Sequence, residues 1–295
     1  MRQCSNKTRT RIAWLGAALS TLLIPALPVA AGNEANSVLY SHHTEPSGEI
    51  EINVFNDFSR GAKDLPKYNS QLFEIEYAFT DHFVAAFYFE TQKTNGDDGK
   101  IGGWRTEARY RPFAYGTFLN PVLYVEYESL RPDHRFKLEA LGRTDRPEAP
   151  GVPRTERAVE TKLILGQDIG RDLNFAFNWI NEANLDDGHW EFGYAAGLNA
   201  TVYRAPRGEA GAKAGAGGGS GFDIRRVKLG AEMFGGLGDS TLGLTANSRV
   251  TQQYAGLNLL AGFENGMQVK LGGALGLNGQ SEHALVRLMV GWEIK

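Results

Sequence analysis

Cysteine is almost absent from this chain of 295 residues: the single one, Cys4, lies ahead of everything that reads as folded. Neither a disulfide nor a thiolate metal site can therefore form in the body of the protein. Long apolar runs are missing as well. Beyond residue 31, nothing approaches the roughly 18 uninterrupted apolar residues of a membrane-spanning helix. Basic residues are not in excess, at 31 Lys+Arg against 34 Asp+Glu. A chain that binds nucleic acid needs a basic surface, so nucleic acid is excluded as a partner. There is no phosphate-binding loop, no dinucleotide fingerprint and no zinc-ligand spacing. We expect no cofactor and no metal, and none of His42, His43, His82, His134, His189 or His283 sits in a local serine-containing motif.

What is present begins with a leader. Arg2, Lys7, Arg9 and Arg11 form a basic start, and residues 12–31 are apolar with Pro25 and Pro28 near the end. Val29-Ala30-Ala31 offers small residues at the right spacing, so cleavage after Ala31 is expected; a permanent anchor is the alternative. The leader holds four basic residues and no acid, leaving 27 Lys+Arg against 34 Asp+Glu, a net charge of −7. An exported chain without a helical anchor is either soluble or a closed barrel, since only helices and closed barrels satisfy every backbone group in lipid.

Residues 71–90 read as one hairpin. Phe73, Ile75, Tyr77 and Phe79 alternate with Glu74, Glu76 and Ala78; Thr80-Asp81-His82 turns; Phe83, Ala85, Phe87 and Phe89 share one face. Strict alternation marks a strand between two environments. The pattern recurs at 48–58, 104–111, 121–129, 158–167, 173–181, 190–202, 226–234, 252–264, 267–277 and 283–295. Asn265-Gly266 is the preferred two-residue hairpin turn, with φ > 0 expected at both positions. Residues 32–46 read as a flexible lead-in, 235–251 as a Gly-rich outer segment with room for strand in part of it, and 205–221 as a Gly/Ala-rich insertion that cannot pack a core.

About twelve strands of bilayer-crossing length result, ten or fourteen also fitting the pattern. Taking the N-terminus as periplasmic, the turns at 80–82, 168–171 and 265–266 fall on one side and the first polar loops on the other, which is the habit of membrane barrels. Trp104, Tyr110, Phe113, Trp179, Trp190, Tyr203 and Trp292 suit the membrane interface. The expected fold is all-β: one transmembrane antiparallel barrel over 47–295. A soluble β-sandwich or lipocalin-like barrel is the rival, with its aromatic face turned inward.

The segments FEIEYAFTDHF, GWRTEARYRPF, NPVLYVEYE, LGQDIGRDLNFAFNW and LVRLMVGWEI resemble bacterial outer-membrane barrels. They are most similar to loosely characterised transporters related to outer-membrane proteins of phenol meta-pathway degradation. The last residues, Trp292-Glu293-Ile294-Lys295, depart from the usual C-terminal aromatic assembly signal. The resemblance implies an outer-membrane channel for passive uptake of small solutes, organic compounds among them. It also implies outer-membrane lipid and the barrel-assembly machinery as partners.

If the apolar face meets lipid, then Glu74, Glu76, Arg105, Glu107, Arg109, Arg111, Glu126 and Glu128 line the lumen and are the candidates for solute selectivity. Glu49, Glu51, Lys162, Lys228, Lys270 and Arg287 join them. Arg105, Arg109 and Arg111 form a positive stripe that could attract a carboxylate or phosphate; Glu126 and Glu128 on the next strand could neutralise it instead. Two further readings stand beside the channel: a non-conducting structural, adhesion or receptor barrel closed by side chains or by the N-terminal segment, and an outer-membrane lipid hydrolase. No residue is assigned as catalytic.

Overall fold

A computed structural model describes residues 35–61, 67–94, 99–131, 138, 140–142, 144, 155–206, 222–245, 247 and 249–295. The leader and residues 207–221 of the Gly/Ala-rich insertion lie outside these. The described strands are β1 (Ile50–Arg60), β2 (Tyr68–Thr80), β3 (Phe83–Thr94), β4 (Lys100–Tyr110), β5 (Asn120–Leu130), β6 (Glu156–Ile169) and β7 (Leu173–Asn184). They continue with β8 (Trp190–Arg204), β9 (Ile224–Asp239), the two-residue β10 (Gly243–Leu244), β11 (Gln253–Phe263), β12 (Met267–Gly276) and β13 (Ala284–Ile294). Each long strand pairs antiparallel with its sequence neighbours. The ring closes because β1 pairs with β13 in unbroken register from Ile50↔Ile294 to Arg60↔Ala284. β10 pairs only with the end of β9. The result is a closed antiparallel barrel of twelve long strands.

The sense of the alternation settles which way the barrel faces. On β2, Phe73 and Ile75 are 47% and 50% exposed, whereas Glu74 and Glu76 are 8% and 4% exposed. The same holds along β3 to β5, where Phe87, Phe89, Trp104, Leu123 and Val125 point out. A soluble barrel would reverse these faces. An apolar surface of this extent belongs against lipid, not water.

Of three local expectations, two are corrected and one is sharpened. Residues 35–46, read as a flexible lead-in, are packed inside the barrel, with Ala35, Val38, Leu39, Ser41, His42, Thr44 and Glu45 all buried. They carry no strand period because they bind the wall as a single thread, with no partner strand. Second, the strand allowed for within the Gly-rich outer segment is the end of β9, which continues through Gly235–Gly238 to Asp239 although glycines interrupt its alternation. The reason is steric: a Cβ on Gly236 would lie 2.6 Å from the carbonyl oxygen of Gly142. Third, Gly266 has φ of 81°, and Asn265 is not among the residues with positive φ. The connection is thus a three-residue turn, Glu264-Asn265-Gly266, closed by Gly266 N–H donating to Phe263 O at 3.3 Å. A type I turn followed by a left-handed glycine is the usual three-residue solution.

The barrel core is a meeting of two inserted segments. Val38 and Leu39 from the N-terminal thread pack with Leu138 and Ala140 from the β5–β6 connection, and with Phe234, Tyr254 and Leu285 of the wall. The connection is anchored by Gly142, whose N–H donates to Phe192 O at 3.2 Å and which bridges to Gly238.

Candidate functional site

The inward faces of the strands place the charged residues. Because inward residues recur every second position, register decides which meet. Glu107, Glu126, Glu160, Glu182 and Glu191 are directly opposite one another across β4 to β8. Glu51 and Glu76 face each other across β1 and β2. Like charges opposite one another destabilise a sheet unless cations intervene.

For Glu76, Glu107, Glu126 and Glu160 the cations do intervene. Arg105 pairs with Glu90 and, at 3.1 Å, with Glu126; Glu128 sits opposite it. Arg109 pairs with Glu76, with Glu107 at 2.8 Å and with Glu45 at 3.4 Å. Lys162 holds Glu160 at 3.1 Å, with its ammonium 4.5 Å from the Tyr124 ring centre. Tyr88 donates to Glu107 at 2.7 Å and Asn53 to Glu74 at 2.8 Å. Arg111 donates to the carbonyl oxygens of Phe113 and Asp81, and its guanidinium lies 3.7 Å from the Tyr115 ring centre.

All eight sequence-derived candidates are thus buried on the inward face. Five of them, Glu76, Arg105, Glu107, Arg109 and Glu126, join in ion pairs over β2 to β5; Glu74 accepts from Asn53, Glu128 sits opposite Arg105, and Arg111 instead fastens the connections at the barrel end. The positive stripe is largely neutralised, by Glu90 and Glu45 as much as by Glu126. Strand parity alone points Glu90, Glu160 and Glu232 inward. Glu45 had no such signal, since its segment has no period.

The thread forms a plug bound mainly by polar contacts. Glu232 on β9 accepts three consecutive backbone N–H groups, from Ser37 at 2.9 Å and from Val38 and Leu39 at 3.0 Å each. Asn178 grips Tyr40 at both its N–H and its carbonyl, each at 2.8 Å. Arg287, paired with Asp57 at 2.6 Å, donates to Ser37 O at 2.9 Å. Glycine makes the close approach possible at Gly230, where a Cβ would lie 2.1 Å from Asn36 Oδ1. Beside the plug, against β1 to β4, a cavity of about 120 Å³ is lined by Glu45, Glu51, Glu74, Glu76, Arg105 and Arg109 among others. That is room for several water molecules.

At the opposite end from both barrel termini lies a separate cluster. Ser240 Oγ is 3.2 Å from His189 Nδ1, and His189 Nε2 is 3.5 Å from Asp239 Oδ2. These are the residue types of an acyl-transfer triad. However, Trp190 N–H donates to Ser240 Oγ at 3.1 Å, and Asp239 Oδ1 accepts from Thr241 and Leu242 N–H. Both side chains are thereby committed to closing the β7–β8 and β9–β10 connections.

A scan against protein-family models finds no match, and a search of curated proteins finds none either. Solved structures do match in fold. An outer-membrane channel from Pseudomonas putida F1 is 13% identical, covering 88% of this chain and 100% of its own, with a TM-score of 0.52. The NanC porin is 9% identical over 83% of this chain and 99% of its own, at a TM-score of 0.44. The translocator domain of the autotransporter NalP from Neisseria meningitidis is 12% identical over 85% and 90%, at 0.43. What the chain shares with the Pseudomonas putida channel is the outer-membrane barrel fold.

Proposed function

We propose that this chain, exported by its leader and inserted by the barrel-assembly machinery, resides in a bacterial outer membrane and passes small solutes along one side of an internal plug. The observation that carries this reading is the cavity between plug and wall. It is bordered by groups of both signs, and the plug beside it is held by hydrogen bonds and ion pairs. Uptake of aromatic compounds rests on the sequence resemblance alone.

The test is planar-bilayer conductance of the refolded chain lacking residues 1–31, in a salt gradient. Small steady steps are expected. Ion preference should be weak, because Glu45, Glu51, Glu74 and Glu76 face Arg105, Arg109, Lys270 and Arg287 around the cavity. A verified folded barrel that conducts nothing would favour the non-conducting receptor or structural reading.

The lipid-hydrolase reading has one specific candidate in Ser240, His189 and Asp239. Ser240→Ala is expected to leave the hydrolysis of phospholipid micelles at background, the same as the parent chain. Serine-dependent hydrolysis above background would make the chain an enzyme.

A further inference from the structure

The plug and the wall meet a second time at the barrel end that carries both termini, and the chemistry there differs from that of the carboxylate network. His42 and His43 are adjacent in sequence. Successive side chains of an extended segment point to opposite sides, yet both imidazoles turn onto one carboxylate. His42 Nε2 lies 3.4 Å from Asp168 Oδ2, and His43 Nε2 lies 3.2 Å from Asp168 Oδ1. The two rings are 4.4 Å apart at their centres. One donor atom from each of the three residues lies within 4.8 Å of the other two.

We propose that His42, His43 and Asp168 form a binding site for a divalent transition-metal ion of the zinc class, which fastens the plug to β6. Tetrahedral bonds of about 2.0–2.1 Å to N and O donors put neighbouring ligand atoms about 3.3 Å apart, the spacing found between each imidazole and the carboxylate.

Supporting contacts orient two of the three ligands. Ser41 Oγ is 3.3 Å from His43 Nδ1, so a proton on Nδ1 can be held there, leaving the Nε2 lone pair for a metal. Asn174 Nδ2 donates to Asp168 Oδ1 at 2.8 Å and fixes the carboxylate. The same amide is 3.5 Å from His42 Nδ1, too long to dictate that ring's tautomer. Gly166 clears the space for His42: a Cβ there would lie 2.3 Å from its Nδ1.

The site adjoins a cavity of about 40 Å³ from which water can supply a fourth ligand. Arg171, Arg204, Arg226 and Lys228 also border that cavity; Arg204 pairs with Asp172 at 3.4 Å and Arg226 with Glu293 at 2.6 Å. A set of two neutral imidazoles and one carboxylate matches zinc, nickel or copper(II) better than calcium or magnesium, which prefer oxygen.

The experiment uses the untagged chain lacking residues 1–31, refolded in detergent, with zinc chloride as the probe against a chromogenic chelator. One equivalent of zinc per chain is expected in the parent. His43→Gln and Asp168→Asn should each lose that equivalent while keeping the heat-modifiable mobility of a folded barrel. Glutamine retains a hydrogen-bond donor toward Asp168 but is a poor zinc ligand, so it separates metal binding from simple anchoring. Equal zinc uptake by parent and both variants, or none by the folded parent, would overturn the proposal. The readout is binding, so it stands or falls independently of whether the barrel conducts.

Discussion

A chain shortened to begin at Pro46 should conduct several-fold more than one beginning after residue 31. The shortening leaves every strand intact, because β1 starts at Ile50. It removes the thread that fills the lumen and exposes its wall partners, Glu232, Asn178, Arg109 and Arg287, to lumen water. Those groups are then hydrated, so the barrel is not left with buried unpaired charge. The apolar contacts of Val38 and Leu39 with Phe234, Tyr254 and Leu285 are lost, and some stability with them. The measurement is single-channel conductance of both forms under one salt condition. An unchanged step size would mean that the inserted Leu138, Ala140, Leu141 and Gly142, not the plug, set the narrowest point. That outcome would move the candidate gate to the β5–β6 connection.

Arg109→Ala should be the most destabilising single change in the wall. Three carboxylates, Glu45, Glu76 and Glu107, share this guanidinium. Removing one partner of a buried ion pair typically costs about 3–5 kcal/mol, because the other charge stays behind uncompensated. The expected observation is a lower denaturant midpoint with an unchanged slope. Adding Glu76→Gln to Arg109→Ala should recover part of the loss, since one stranded charge disappears with it. Arg109→Lys should not restore full stability, as an ammonium cannot reproduce the planar fork that spans Glu76 and Glu107. If Arg109→Ala unfolds at the parent midpoint, lumen water is already screening these charges and the network is not structural.

How much of this was written in the sequence can be judged strand by strand. The hairpin of β2 and β3 was legible because its two environments differ sharply: phenylalanines and isoleucine outward, glutamates inward. The same contrast located the other ten long strands. It could not give their register, and register creates the row Glu107, Glu126, Glu160, Glu182 and Glu191 and the need for Arg105, Arg109 and Lys162 between them. The extent of β9 was not legible, because glycines at 235, 236 and 238 erase the period where Leu141 and Gly142 press against the wall. The plug was hidden for a different reason. Its residues bind through backbone N–H groups to Glu232 and through single side-chain contacts, and neither leaves a repeating signature. His42 and His43 read as a tail for the same reason: their partner, Asp168, is more than a hundred residues away in sequence.

The plug is the stretch immediately before β1, and β1 is the strand that seals against β13. The contact between Ile50 and Ile294 has the greatest sequence separation of any strand pair in the ring, so it carries the highest chain-entropy cost and is the natural late step of assembly. Enclosure of the plug and sealing of the seam are therefore expected to be coupled steps of folding. A β1 that arrives at the seam with its leading thread outside closes an empty barrel, and a thread already seated on Glu232 delivers β1 beside its partner. The internal segment thus doubles as a guide for closure, and its loss should slow the last folding phase as well as widen the lumen.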